Sequence, residues 1–323
     1  MKFGLLLPQG FLYGLPKNPI EARNKVVKIA KLAEELGFNS VWVVDHFIPY
    51  PFITSDNVFE SWTLLSYIAS VTTNIRLGTL VSCNLYRYPT VLAKMASTLD
   101  ILSNGRLEFG IGVCWYTEEF SRYGISYFRF KRRVEMLDEA LRIIKLAWTK
   151  DKVTFKGKYY NVKNLILEPK PKQKPYPPIT IGGSSRTLLK IVAKHADKWN
   201  FVGSLNDLES KYSILVSEIK RIKRKHGISV NYLVWAILGN KTTHYILRFV
   251  KYFLHIMGRI NFKVAYGDLC FVRTNSFTLG TYSKFKKIVN YASNKGVNEI
   301  VVYFPILDEH VLSEFAKHII EKF

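Results

Sequence analysis

The sequence predicts an α/β fold, a closed (β/α)8 barrel of the TIM type with insertions, and three observations carry that expectation. Short apolar, β-branched runs alternate with helical patterns along most of the chain. The helical patterns are amphipathic, as expected of helices that cover one face of a parallel sheet. Polar or glycine-rich clusters stand at the C-terminal ends of several runs, the rim where barrel sites are built. With 323 residues, 48% of them apolar and 14% aromatic, the chain is long enough to bury such a barrel.

Taken in order, residues 3–7 and 40–44 are the first strand candidates. Between them, residues 20–36 place Val26, Ile29, Ala30, Ala33 and Leu36 on one helical face, and Gly37 supplies a left-handed stop. That completes a βαβ unit. Further strands are expected at 75–81, 107–112, 179–182, 198–202, 232–238 and 299–304, which makes the set a closed parallel barrel needs. A helix from about Val134 to Trp148 carries Leu137, Leu141, Ile144 and Trp148 inward. Another, opened by the turn Gly182 to Ser185, turns Leu188, Leu189, Val192 and Ala193 to the core.

The chain reads as a single domain over 1–323 with one excursion at about 149–178. There DKVTFKGKYYNV has a hairpin pattern turning at Lys156-Gly157, and the Pro-rich run EPKPKQKPYPP follows. The segment 204–279 diverges from the alternation. Positions 203–280 hold twelve Lys or Arg against four Asp or Glu, and 243–257 is apolar or aromatic nearly all round, like a helix that is buried or covered by a partner subunit. That segment, or the helix containing Leu65 and Ile68, is the expected contact of a homodimer.

A net charge of +22 would attract nucleic acid, acidic lipid or a polyanionic small molecule. The charge is dispersed, however, and its densest run, Lys220-Arg221 with Lys223-Arg224-Lys225, falls in a helical pattern with Ile214, Leu215, Ile219 and Ile222 inside. It reads as a solvated helix surface, so neither nucleic acid nor membrane is expected as a partner. The start MKFGLLLPQG has no leader pattern, and the apolar stretch 245–260 is interrupted by Arg248, Lys251 and Arg259, which points to a cytoplasmic protein. Cys83, Cys114 and Cys270 are odd in number and widely spaced, so neither a disulfide framework nor a metal site is expected.

Two clusters suggest chemistry. Asp45 and His46 end the second strand; a strand-end histidine is as readily a hydrogen-bonded core residue as an acid/base group, but on a barrel rim imidazole is the side chain suited to moving a proton near neutral pH. Gly182-Gly183-Ser184-Ser185 presents amides and hydroxyls at a helix N-terminus, a phosphate-binding arrangement that is neither a Walker loop nor GxGxxG. Gly110 and Gly112 are read either as a closely packed strand or as an opening for a flat ring.

Several segments in order then resemble the luciferase-like monooxygenase superfamily, parallel barrels that use flavin or the deazaflavin coenzyme F420: AEELGFNSVWVVDHF, NIRLGTLV, RYPTVLAKMASTLDILSNGRLEFGIGVCW, RRVEMLDEALRIIKLAW, PPITIGGSS and ADKWN. The Asp-His-Phe ending with Pro49 and Tyr50 after it is similar to the deazaflavin branch. The resemblance implies His46 and Asp45 beside the reactive ring. It also implies a cis peptide at Leu80-Val81 with Ser82 behind the ring, Gly110, Gly112 and Trp115 along it, Gly182 to Ser185 on the phosphate, and Tyr50 and Trp62 on the substrate side. Trp115 stands where sugar-phosphate dehydrogenases of the family carry a carboxylate, Cys114 where glycine is usual, and Lys198 where ADGW has glycine.

The implied activity is an F420-dependent oxidoreductase moving a hydride between a small organic substrate and the coenzyme, served by a separate cofactor reductase. The residues are also compatible with two alternatives. One is an FMN-dependent two-component monooxygenase with a dry, covered pocket. The other is a non-catalytic barrel that binds flavin or nucleic acid.

Overall fold

The computed structural model describes residues 1–12, 14–241 and 277–323, with Thr243, Ile246, Leu247 and Val250. Cys270 and nearly all of the expected helix at 243–257 lie outside the described residues. Eight parallel strands close on themselves: β1 (Lys2–Leu6), β2 (Ser40–Val43), β3 (Arg76–Thr79), β4 (Leu107–Gly112), β5 (Ile179–Gly182), β6 (Lys198–Phe201), β7 (Ser229–Gly239) and β8 (Val297–Tyr303). Each pairs with the next, and β8 returns to β1 in the register Lys2↔Glu299 to Leu5↔Val302. Every expected strand position holds a barrel strand.

Local chemistry sets the boundaries. Helix Pro19–Glu35 begins with proline at its first turn and with the Asn18 side chain accepting from the Ile20 N–H at 2.9 Å; Gly37 ends it at φ +82°. Helix Phe130–Thr149 buries Leu137, Leu141, Ile144 and Trp148, whose indole N–H donates to the Ala93 carbonyl at 2.9 Å. Between β4 and β5, Val153–Lys156 and Asn161–Leu165 form the expected antiparallel hairpin. Two further segments extend the sheet: Ser82–Cys83 pairs with the end of β4, and Phe277–Thr281 runs beside Trp235–Gly239 of β7.

The basic run is placed differently from its sequence pattern. Helix Leu205–Arg221 stops inside it, Lys223 takes a left-handed φ of +54°, and Ile222 is 38% exposed rather than inward. Leu215 is buried as expected, with Leu208 beside it, and Ile214 and Ile219 pack half-buried against the core. Among the described residues no helix is long and apolar enough to cross a membrane.

The barrel interior has its own apolar plug of Leu6, Trp42, Leu80, Leu233, Trp235, Val301 and Tyr303, distinct from the larger core between sheet and helices. Trp42 determines its neighbours. Its indole N–H donates to Ser40 Oγ at 2.7 Å, and its ring lies where a side chain on β3 would otherwise stand. A Cβ on Gly78 would meet the Trp42 ring at 2.3 Å. Towards the N-terminal end of the strands the interior is polar: Glu108 pairs with Arg76 and, at 2.7 Å, with Lys198, and Ser40 donates to Glu299.

Since neither the buried indole nor β3 can retreat without opening the barrel, Gly78→Ala should destabilise the fold by about 2 kcal/mol. Urea unfolding of the two proteins checks this, with the midpoint expected to fall at an unchanged slope.

Candidate active site

At the C-terminal rim a cavity of about 370 Å³ opens between the ends of β2 to β6. Its wall includes Asp45 and His46 after β2, Leu80, Val81 and Cys83 after β3, Gly112 to Trp115 after β4, Gly182 to Ser185 after β5, and Asn200 on β6. The Leu80-Val81 peptide is cis. The turn after β5 is shaped by Gly183, at φ +115°, whose carbonyl accepts from the Trp199 indole at 2.8 Å. Ser185 caps helix Arg186–His195 by accepting from the Leu188 N–H at 3.2 Å, which leaves its hydroxyl hydrogen and the Ser184 hydroxyl available to an anion.

The adjacent residues Asp45 and His46 are separated in role by their partners. Asp45 is buried, and its two oxygens accept from Ser61 Oγ at 2.6 Å, the Cys83 N–H at 2.9 Å and Arg87 at 2.7 and 3.0 Å. That carboxylate is fully engaged in holding the rim. His46 stacks on Phe11 at 3.8 Å between ring centroids, and its Nδ1 lies 2.7 Å from Glu119 Oε2. Glu119 is buried and also accepts from the N–H groups of Phe47 and Ile48, at 2.6 and 3.2 Å, and from the Tyr86 hydroxyl. Burial works to raise the Glu119 carboxyl, but the bonds from His46, Tyr86 and the Phe47 N–H outweigh it and hold the group below its ordinary range. Burial and the neighbouring Glu119 push the Tyr86 phenol up, so it stays a donor. An ionised Glu119 fixes a proton on Nδ1 of His46, so Nε2 is the nitrogen that can exchange one.

Not every expected site residue reaches the cavity. Gly110 faces β3: a Cβ there would stand 1.8 Å from the Thr79 carbonyl oxygen, so strand packing accounts for this glycine. The Ser82 hydroxyl turns into the core, bonded to Thr79 Oγ1 at 3.0 Å and accepting from the Trp62 indole at 3.1 Å. Trp62, 2% exposed, is accordingly a core residue beneath the rim and not a substrate contact. Tyr50 stands in an aromatic group with Phe11, Trp115 and Tyr116, at centroid distances of 5.6, 5.1 and 5.2 Å, outside the cavity wall itself.

Three features escaped the sequence reading. Glu119 is one. Arg133 is another: buried in the cavity wall, it donates to the carbonyls of Phe128 at 2.9 Å, Val113 at 2.7 Å and Cys114. The third corrects an expectation, because Cys83 and Cys114 form a disulfide with Cα atoms 4.9 Å apart. Their separation of 31 residues in sequence carries no pairing signal, yet the parallel return from β3 to β4 brings both to one rim.

Residues 1–238 match the sequence profile of the family described as luciferase-like monooxygenase. The chain belongs to that family. Among curated relatives it is 34% identical over 176 residues to an F420-dependent glucose-6-phosphate dehydrogenase of Amycolatopsis mediterranei, a match covering 54% of this chain and 50% of the relative. The chain spans about half the length of the curated relatives it matches. Among solved structures, a monooxygenase from Streptomyces bottropensis aligns with TM-score 0.81 at 18% identity, covering 100% of this chain and 99% of the other. An F420-dependent secondary alcohol dehydrogenase in complex with an F420-acetone adduct aligns with TM-score 0.79 at 20% identity over 98% of each chain. Both solved structures share the fold of this chain along nearly its whole length.

The Glu119 network carries a pH dependence. Its carboxyl is held below the ordinary value of 4.5, so its contribution to stability is present above that pH and is lost as pH falls through the folded-state value. Urea midpoints measured from neutral to acidic pH should fall for the native chain, and Glu119→Gln should flatten that decline while lowering stability at neutral pH.

Proposed function

We propose that this protein is an F420-dependent oxidoreductase that moves a hydride between the coenzyme and a small organic alcohol, aldehyde or enone. The observation that carries the reading is His46, bonded to buried Glu119, lining the same cavity as a phosphate-type turn. The residues present fit the coenzyme. Gly183, Ser184 and Ser185 would hold the phosphate at the start of helix Arg186–His195, in a cavity that the Arg133 cation also lines. Leu80, Val81, Gly112 and Trp115 would bound the ring. When bound, the coenzyme supplies two-electron hydride chemistry.

The chain's own contribution is proton transfer and exclusion of water. His46 Nε2 takes the hydroxyl proton as an alcohol becomes a carbonyl and returns one in the reverse direction, while Glu119 holds the ring and stabilises its protonated form. The aromatic group of Phe11, Tyr50, Trp115 and Tyr116 lies beside His46 and forms an apolar approach. Trp115, 48% exposed, offers a bare ring where the sugar-phosphate branch places a carboxylate, which favours an apolar substrate over a sugar phosphate. The reading includes a single barrel domain, a cytoplasmic setting, a separate reductase that renews the coenzyme, and a homodimer.

Titration of the purified chain with F420 and with FMN, followed by fluorescence anisotropy, tests it. F420 should bind the more tightly. Ser184→Ala should weaken that binding by about tenfold, and His46→Ala should leave affinity intact while lowering kcat by about 10²-fold or more. Preference for FMN would move the assignment to oxygen chemistry.

A further inference from the structure

The Cys83–Cys114 disulfide joins two walls of the cavity: the segment after β3 that carries the cis Leu80-Val81 peptide, and the segment after β4 that leads to Trp115. Each wall is also held by hydrogen bonds of its own. Ser82 and Cys83 are in register with Ile111 and Gly112, and the Asn84 N–H donates to the Gly112 carbonyl at 3.1 Å. The Cys83 N–H is fixed on Asp45, and Arg133 holds the Val113 and Cys114 carbonyls. Cys114 moreover adopts φ +63°, a left-handed conformation in which glycine is unpenalised and a Cβ is not. A staple is redundant here and its second cysteine sits in an unfavourable conformation, so the bond calls for a chemical reason. Both cysteines line the cavity that also holds His46 and Arg133.

Resting on the cofactor reading above, we propose that this disulfide is a two-electron acceptor for the reduced coenzyme. The Cys83 sulfur takes a hydride and becomes a thiol as the S–S bond breaks. The Cys114 sulfur leaves with the bonding pair as a thiolate, and the coenzyme is left oxidised by two electrons. Arg133, whose guanidinium is bonded to the carbonyl of Cys114 itself, favours that residue as the thiolate. Protonation from His46 or water completes a dithiol. The protein thus has a second reducible group beside its carbon substrate, able to pass electrons onward by thiol–disulfide exchange.

The test uses the full chain without oxygen. Alkylation under denaturing conditions followed by peptide mass mapping reports the state of Cys83 and Cys114 before and after mixing with reduced F420 or, separately, reduced FMN. The coenzyme's absorbance reports its oxidation, and anisotropy with the oxidised coenzyme reports binding. The expected result is that both cysteines resist alkylation at the start and become alkylated after reduction, with one coenzyme oxidised per pair. Cys114→Gly should bind the coenzyme, leave it reduced, and show Cys83 alkylated from the start. Binding without new thiols would overturn the proposal and leave the cofactor reading standing, as would alkylation of both cysteines in the untreated protein. Failure of either coenzyme to bind would overturn the cofactor reading and the proposal with it.

Discussion

The rim of this barrel depends on one buried carboxylate. Asp45, at the end of β2, binds the start of helix Ser61–Val71 through Ser61, the segment after β3 through the Cys83 N–H, and Arg87 through two parallel bonds; Arg87 in turn reaches Glu60. Three segments that share no backbone ladder are therefore fixed to one side chain. A bidentate guanidinium with further donors is the arrangement in which a buried charge is satisfied, and removing a single partner from such a set costs about 3–5 kcal/mol because the remaining charge stays buried. The position of the cis Leu80-Val81 peptide, between β3 and Cys83, is set by this anchor.

With Asp45 committed to structure, the chemistry passes to its neighbour. Asp45 is taken up by Ser61, the Cys83 N–H and Arg87, while the next residue, His46, meets Glu119. Glu119 has a dual position: its Oε1 accepts the Phe47 and Ile48 N–H groups that continue the same loop, and its Oε2 faces His46 and Tyr86. The bonds from His46, Tyr86 and the Phe47 N–H depress its affinity for protons and keep it ionised, and an ionised partner is what holds the histidine tautomer. The loop geometry and the proton-transfer geometry are thus produced by the same carboxylate.

Much of the fold was legible in the sequence because its determinants are local. The β-branched runs, Gly37 after an amphipathic face and Ser185 before another each act within a few residues, and each placed its element. The turn at Gly182 to Ser185 was readable for the same reason. Glu119 and Arg133 were not, since their partners are His46, 73 residues away, and the carbonyls of Val113 and Cys114, 20 and 19 residues away. Ser82, Gly110 and Trp62 show the complementary error: Ser82 and Gly110 pack against Thr79, and Trp62, in the first turn of helix Ser61–Val71, donates to the Ser82 hydroxyl on the core side. Register at a strand end decides between cavity and core, and a run of apolar residues does not disclose it.

The location of the cavity follows from what fills the rest of the barrel. Trp235 and Tyr303, 4.6 Å apart at a near-perpendicular angle, close the β7–β8 side, and Trp42 with Leu6 closes the β1–β2 side. These rings demand small partners, and Gly4 and Gly78 provide them: a Cβ on Gly4 would stand 2.8 Å from the Trp42 indole nitrogen. On the opposite side β4 and β5 end in Gly112 and Gly182, where Val81 is the nearest side chain to both. Bulk on one half of the ring and glycine on the other move the open volume away from the barrel axis. That displacement places the phosphate-type turn, the cis peptide, the disulfide and His46 around one space, and leaves the aromatic group as its approach.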